Sequence, residues 1–387
     1  MLPSCKLLLA VLLSAALVGT VCGQTPPVKP AVVDLEINGA ANHLFGIGWI
    51  GARPDRSIAV VQFQNAVLRY FDPNGRSGDE VRIAPEANAR LNAAGTFGDS
   101  IWINDASVPQ LTLVSPTHKI ARRLSTAVAI VLPSGDESPF APPLGMVAPR
   151  PVGISPGGGF LLLAPRIPAR ASPSELHQPP NAYAALAQVA SNGVLKRVVS
   201  WMQQNPGCNA RSGTWTVSLP LCVQPQTAVS SDGRLVATVE AAVTGADSGT
   251  FQATVVNVRG DTVYSRRNRF AVRPVSQREA DSAIARTTAS FRRTSNYAVV
   301  NAIEAAFHPT LHPPFESLLL ADDGSVWLEL SGEGIAMPWL VLTAAGEVSR
   351  IVALPAGLRL RTISGSVLWA TRRDGPNEES ILRLHVE

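Results

Sequence analysis

Residues 98–120 read GDSIWINDASVPQLTLVSPTHKI. Ile101 and Ile103 alternate with other side chains, and Leu111 and Leu113 do the same after a short polar gap. A two-residue period sends successive side chains to opposite faces, so the stretch predicts two strands joined by a turn. The pattern recurs. RPDRSIAVVQFQNAVLRYFDPNGRSGDEVRI (53–83) gives two strands, an Asp-Pro-Asn-Gly turn and a third strand. Pro fixes φ in such a turn, and Gly accepts the positive φ that closes it. Comparable sets follow to the C-terminus, with SNG, SSDG, ADDG and SGS among their turns. Each unit reads as four strands, with the first pair and the last pair joined tightly. Six units fit, and the sixth ends after its third strand. PAVVDLEI (30–37) is a lone alternating strand that supplies the missing fourth and closes a ring. Repeated four-stranded units that hide their edges predict an all-β fold, a six-bladed β-propeller. A β-sandwich explains the alternation but not the turns in phase, and WD40 and kelch signatures are absent.

One connection breaks the strand pattern. SQREADSAIARTTASFRR (276–293) has Ser276 and Glu279 at capping-box spacing, and Ala280, Ile284 and Phe291 on one helical face. It predicts one short helix between the fourth and fifth blades. The other long segments are the connections after second strands and between units: 165–181, 125–150, 201–224 and 267–314. They gather on one face of a propeller, the first-to-second and third-to-fourth turns on the other. Long loops on a rigid scaffold are where binding usually resides, although tolerated insertions give the same pattern.

The N-terminus sets the compartment. Lys6 precedes an apolar run too short to cross a bilayer, and Val21 and Gly23 suit cleavage before Gln24. Residues 1–23 are expected to be a signal peptide, 24–30 a flexible leader and 31–387 the propeller, secreted or periplasmic. A lipoprotein anchored at Cys22 is the alternative, but Val21 is bulky for such a site. No later segment is long and apolar enough to span a membrane. Cys208 and Cys222 are the cysteines left after cleavage, and in an oxidising compartment they most simply pair. They lack redox C-x-x-C spacing.

The net charge of +4 is too small to imply nucleic acid. Residues 259–293 hold nine arginines against Asp261, Glu279 and Asp281. An anionic glycan or lipid headgroup suits that patch, as does a plain solvated surface. Two motifs tempt. GISPG (153–157) matches a nucleophile motif in letters, but a strand follows it where the motif needs a helix. HPTLH (308–312) has two-histidine metal spacing, but its prolines prevent the helix that would align the rings.

DSIWINDASVPQLTLVSP, LLLADDGSVWLEL with WLVLTAAGEVSRIVALPAGLRL, and VLWATRRDGPNEESILRLHV resemble the blades of exported bacterial six-bladed propellers of the TolB-like kind. The resemblance spans most of 31–386 and is weak over 132–205. It departs in the second unit, where SPTHK stands for the usual Asp-Gly turn. It implies a fold more than an activity. Some six-bladed propellers are lactonases that hold calcium at the channel mouth. Arg150, Gln226, Glu316 and Arg359 start the innermost strands here, and one carboxylate among cations is a poor cage. No metal and no cofactor is therefore expected. The favoured expectation is a monomeric binding protein without catalysis, taking an envelope protein, a small molecule or a glycan on its loop face. Its contacts are expected at Asp105, His177, Asp247, Glu333, Arg373 and Asp374. A hydrolase or lyase at the channel mouth and a structural envelope component are the alternatives.

Overall fold

The alternating stretches form strands. The computed structural model describes residues 26–387 apart from 54, 85–88, 109, 127–149, 156–158, 166–181, 193, 204, 214, 246, 332–336 and 377. The expected signal peptide lies outside the described residues. After β1 (Val28–Ile37), the strands β2 (Ile47–Ala52), β3 (Ile58–Gln62), β4 (Val67–Phe71) and β5 (Ser77–Arg82) form a four-stranded antiparallel sheet in chain order. The same order repeats in β6 (Leu91–Phe97), β7 (Ser100–Asp105), β8 (Gln110–Val114) and β9 (Ile120–Ser125). It repeats again in β10 (Arg150–Ser155), β11 (Gly159–Pro165), β12 (Ala182–Val189) and β13 (Leu195–Gln203). A hairpin of β14 (Asn209–Ser212) and β15 (Trp215–Ser218) precedes the next such sheet. That sheet holds β16 (Gln226–Val229), β17 (Leu235–Val243), β18 (Ser248–Asn257) and β19 (Thr262–Ala271). Helices α1 (Gln277–Arg293) and α2 (Tyr297–Ala306) follow.

The remaining strands are β20 (Phe315–Leu320), β21 (Val326–Leu330), β22 (Met337–Leu342), β23 (Val348–Leu354), β24 (Leu358–Ser364), β25 (Val367–Arg373) and β26 (Glu379–Val386). With β1 they make one eight-stranded sheet, in the order β20-β21-β22-β23-β1-β26-β25-β24. The strand β1 is its hinge. Ala31 to Ile37 run antiparallel to β26, from Ala31 opposite Val386 to Ile37 opposite Ile381, which is the pairing expected of the N-terminal strand. Val28 to Pro30 run parallel to β23. The strand thus begins within the segment read as a leader.

The arrangement is propeller-like. The first strands of successive units lie side by side: β24 by β2, β2 by β6, β6 by β10, and β16 by β20 and β20 by β24. The core consists of layers between neighbouring sheets rather than one centre. Trp102 and Leu111 pack with Phe160 and Leu162. Phe251 meets Phe315 edge-on, with ring centroids 4.9 Å apart. Trp327 and Trp339 pack with Leu358 and Leu368, and Trp369 with Ile37 and Phe71. Fully burying one such side chain is worth about 1.5–3 kcal/mol.

Several of the tight turns share one bonding scheme. In 72–76, Asp72 N donates to Arg76 O, and Gly75 N donates back to Asp72 O. The turns at 257–261 and 343–347 repeat both bonds, with Gly260 and Gly346 in the fourth position. These glycines have φ between 79° and 83°, where a Cβ is strained. The SPTHK turn has the same two bonds, but His118 occupies the glycine position at φ 58°.

The expectation of one helix needs correction, because the connection holds two. The capping box of α1 is present: Ser276 accepts from Glu279 N, and Glu279 reaches back to Ser276 N. α2 begins at Asn296 with no side-chain cap bond and buries Val299, Val300 and Ile303. Its mostly apolar YAVVNAIEAA carries neither the start signal nor the polar face that marks α1. Both helices pack on the β14–β15 hairpin through Ala283, Ile303, Phe307, Ala210 and Leu219. Cys208 and Cys222 are disulfide-bonded across its base, 5.5 Å apart at Cα.

Candidate functional site

The first strands β2, β24 and β20 lie side by side in that order. At the end where they begin, Gly48 to Ile50, Glu316 to Leu319 and Leu358 to Arg361 surround a cavity of about 560 Å³, with Glu329 and Met337 beside them. This is the end at which the long connections emerge. Two carboxylates and two guanidinium groups meet here from strands distant in sequence. Each carboxylate already accepts one hydroxyl: Ser331 Oγ donates to Glu316 at 2.8 Å and Ser317 Oγ to Glu329 at 2.6 Å. Arg361 is committed to the seam between the first and last units. Its Nε donates to Thr371 Oγ1 at 3.0 Å and its Nη2 to Ile47 O at 3.2 Å, with Glu379 3.5 Å away. Glu379 also accepts Ile47 N at 2.9 Å. Burial holds the Arg361 pKa below its ordinary value; the nearby Arg359 charge adds to this and Glu379 opposes it. Arg359 is exposed and has no hydrogen-bond or ion-pair partner among the described residues. It is the polar group here that remains open to a ligand.

The sequence-derived contact residues behave differently. Asp105 ends β7 and accepts from Arg90 N, Ser107 N and Ser107 Oγ at 3.1, 2.9 and 2.6 Å. Burial alone would raise its pKa, but the Ser107 and Arg90 bonds outweigh it and hold the carboxyl below the usual range. Asp247 is an exposed loop residue whose carbonyl accepts Val272 N at 3.2 Å. Arg373 is exposed at the end of β25. Asp374 accepts from Ser380 Oγ and pairs with Arg372, and these bonds, Ser380 first, lower its pKa. None of these four lines the channel cavity. Among the described residues no hydrogen bond or ion pair joins any two of them. His177 and Glu333 lie outside the described residues. Of the strand-start residues singled out from sequence, Glu316 and Arg359 come together. Gln226 instead donates to Phe315 O at 3.0 Å, tying β16 to β20. Glu329 and Arg361 were missed, since nothing in a strand's own pattern says which neighbouring unit it will face.

The tempting motifs resolve as strand and loop. Ser155 ends β10 and pairs with Gly159 at the start of β11, so a strand stands where a nucleophile elbow needs a helix. His308 is exposed, while His312 is buried with Nε2 3.0 Å from Glu279. Burial, aided by Arg273, holds the His312 pKa below its ordinary value against the pull of Glu279. Among the described residues no group of three His, Cys, Asp or Glu side chains is placed to hold a metal ion. No helix among them is long and apolar enough to cross a membrane.

No family model matches the chain, and no curated protein matches it. Solved structures align along nearly all of its length. A DUF4221 member from Bacteroides vulgatus shares 8% identity over 96% of this chain and 99% of its own, at a TM-score of 0.44. Virginiamycin B lyase from Staphylococcus aureus shares 11% over 92% and 99%, at 0.38. A gluconolactonase from Xanthomonas campestris shares 13% over 94% and 99%, at 0.37. Likeness at this level assigns no chemistry to the present residues.

Proposed function

We propose that the protein is an exported six-bladed β-propeller of the TolB-like kind that binds a small polar ligand at the loop end of its channel, without catalysis. The blade count takes β20–β23 as the fifth unit and β24–β26 with β1 as the sixth. The core layers between each neighbouring pair of units favour that count. Export rests on the N-terminal segment, and the Cys208–Cys222 bond suits an oxidising compartment.

The observation that carries the binding reading is Arg359, an uncommitted guanidinium beside a cavity whose other charged groups already have partners. A bound carboxylate or carbonyl would satisfy it. Glu316 and Glu329 would accept hydroxyl or amine donors with their remaining lone pairs. The volume falls within the range of small-molecule sites. A thermal-shift screen of small hydroxy- and dicarboxylic acids tests this. A ligand held at a hundredfold over its dissociation constant stabilises by about 2.7 kcal/mol. The stabilisation is expected in the wild type and absent in Arg359→Ala. A hit that stabilises Arg359→Ala equally would place binding elsewhere.

A further inference from the structure

The opposite end of the channel carries larger spaces and a different chemistry. An axial cavity of about 750 Å³ opens where the first strands end, with Trp49 and Phe97 half-buried in its wall and Asp55 and Asp99 exposed on it. A second cavity of about 690 Å³ lies beside it, lined by Lys196, Arg197 and Arg259. Arg234 and Asp322 line both, so the two are continuous.

The shared wall is a fixed turn. Ser231 O accepts from Thr96 N and Thr96 Oγ1 at 2.9 and 3.0 Å, while Ser231 Oγ donates to both Asp322 oxygens at 2.9 and 2.7 Å. Gly233 packs close to Gly153, where a Cβ would stand 3.3 Å from the opposite Cα. One turn thereby touches three other units. Loss of water around Asp322 raises its pKa; the Ser231 bonds oppose this and the Asp232 charge adds to it.

The charges are uneven along this groove: Asp55, Asp99 and Asp232 line the axial cavity together with Arg53, whose guanidinium lies over Tyr70, while Lys196, Arg197 and Arg259 line the other. On the axial side Asp55 is occupied by Ser57, whereas Asp99 has no partner among the described residues. On the other side Arg234 pairs with Asp232 and Arg259 with Asp261. Arg197 donates only to the Arg259 carbonyl, at 2.6 Å, and Lys196 has no partner among the described residues. Both basic side chains are exposed. An axial side rich in carboxylates repels an anion but accepts hydroxyl donors, and aromatic faces cover the C–H faces of sugar rings. The basic side has two uncompensated cations to place an anionic group.

We propose that this end of the channel is a binding site for an acidic saccharide, with hydroxylated rings in the axial cavity and a carboxylate on Lys196 and Arg197. Of the residues lining the Arg359 cavity, Trp49 alone also lines this one, and the Arg359→Ala arm of the test separates this proposal from the reading above.

Calorimetric titration of the mature protein tests it with a galacturonate trisaccharide, the neutral galactose trisaccharide and inorganic phosphate as probes. The acidic trisaccharide is expected to bind, and more weakly as salt is raised. The Lys196→Ala/Arg197→Ala double variant should weaken it by at least about tenfold, since each removes a charge-assisted bond. Asp99→Asn should weaken it less, and Arg359→Ala should leave it unchanged. No binding, equal affinity for the neutral trisaccharide, an unaffected double variant, or loss in Arg359→Ala each overturns the proposal. Full competition by phosphate would reduce the site to a simple anion site and overturn the saccharide assignment.

Discussion

His118 offers a sharp test of how this fold spends side chains in its turns. Among the described residues, four turns with the same bonding scheme place Gly75, Gly260, Gly324 and Gly346 where SPTHK places His118, and a fifth places Arg56 there. Holding a residue with a Cβ in the left-handed region costs about 1–2 kcal/mol. The structure shows what opposes that cost. The His118 ring stacks on Tyr70 of the preceding unit, with centroids 3.6 Å apart and planes inclined by 17°. Its Nδ1 lies 2.7 Å from Asp79 Oδ2. Arg53 covers Tyr70 at 4.9 Å from the ring centroid. A ring stack contributes about 0.5–1.5 kcal/mol. The Asp79 contact adds a few tenths at most, because that carboxylate is 72% exposed. His118→Asn isolates the stack, since Asn tolerates the left-handed region and removes the ring. The expected loss is about 1 kcal/mol. Such a change moves the melting temperature of a chain this long by roughly 2 °C, so urea unfolding is the better assay. A double-mutant cycle with Tyr70→Leu should return a coupling of about 0.5–1.5 kcal/mol. A coupling of zero would refute the idea that the stack, rather than the turn alone, selects histidine here.

Gly233→Ala should destabilise the protein by about 1–3 kcal/mol in the same assay, because φ is +69° and the new methyl meets Gly153 of the neighbouring unit. Wild-type stability would mean that the turn is not seated as described. Replacing Cys208 and Cys222 by serine should loosen the hairpin and helices by up to about 3 kcal/mol, the entropy of a loop of this length. Hydrogen exchange should then quicken in 209–218 and α2 but not in β20–β23, and equal quickening in both would show that this module does not open on its own.

Much of the fold was legible because it is written locally. A period of two marks a strand, Asp-Gly and Asn-Gly mark the turns, and a lone strand at one end with a missing one at the other marks closure. The pairing of Ala31 with Val386 follows from that arithmetic. The paired cysteines were readable for the same reason, as the cysteines left once the leader is set aside. Local rules failed where no local mark existed. α2 has no cap bond and a mostly apolar sequence, so it looked like part of an extended connection. The parallel pairing of Val28 to Pro30 with β23 was invisible, since a parallel partner is chosen by the neighbouring unit and not by a turn.

The candidate sites were less legible for a geometric reason. In a ring of sheets, the groups that meet at a channel mouth come from first strands that are neighbours only after the ring has closed. Glu316 and Arg361 share a cavity, as do Asp55 and Asp322, yet no spacing rule connects either pair. Loop length was a natural guide to an end of the fold, but it does not say which side chains converge there. Asp105 and Asp374 illustrate this: one ends β7 and the other follows β25, and each carboxylate is taken up by hydrogen bonds within its own unit. The turn end of the channel shows the converse. Its turns are short, its walls are fixed by bonds between units, and Lys196, Arg197 and Arg259 gather in one of its two cavities. A short turn cannot adapt to a ligand, but neither must it be ordered when one arrives. The conformational cost of binding therefore falls on the ligand alone, which is what a preorganised site requires.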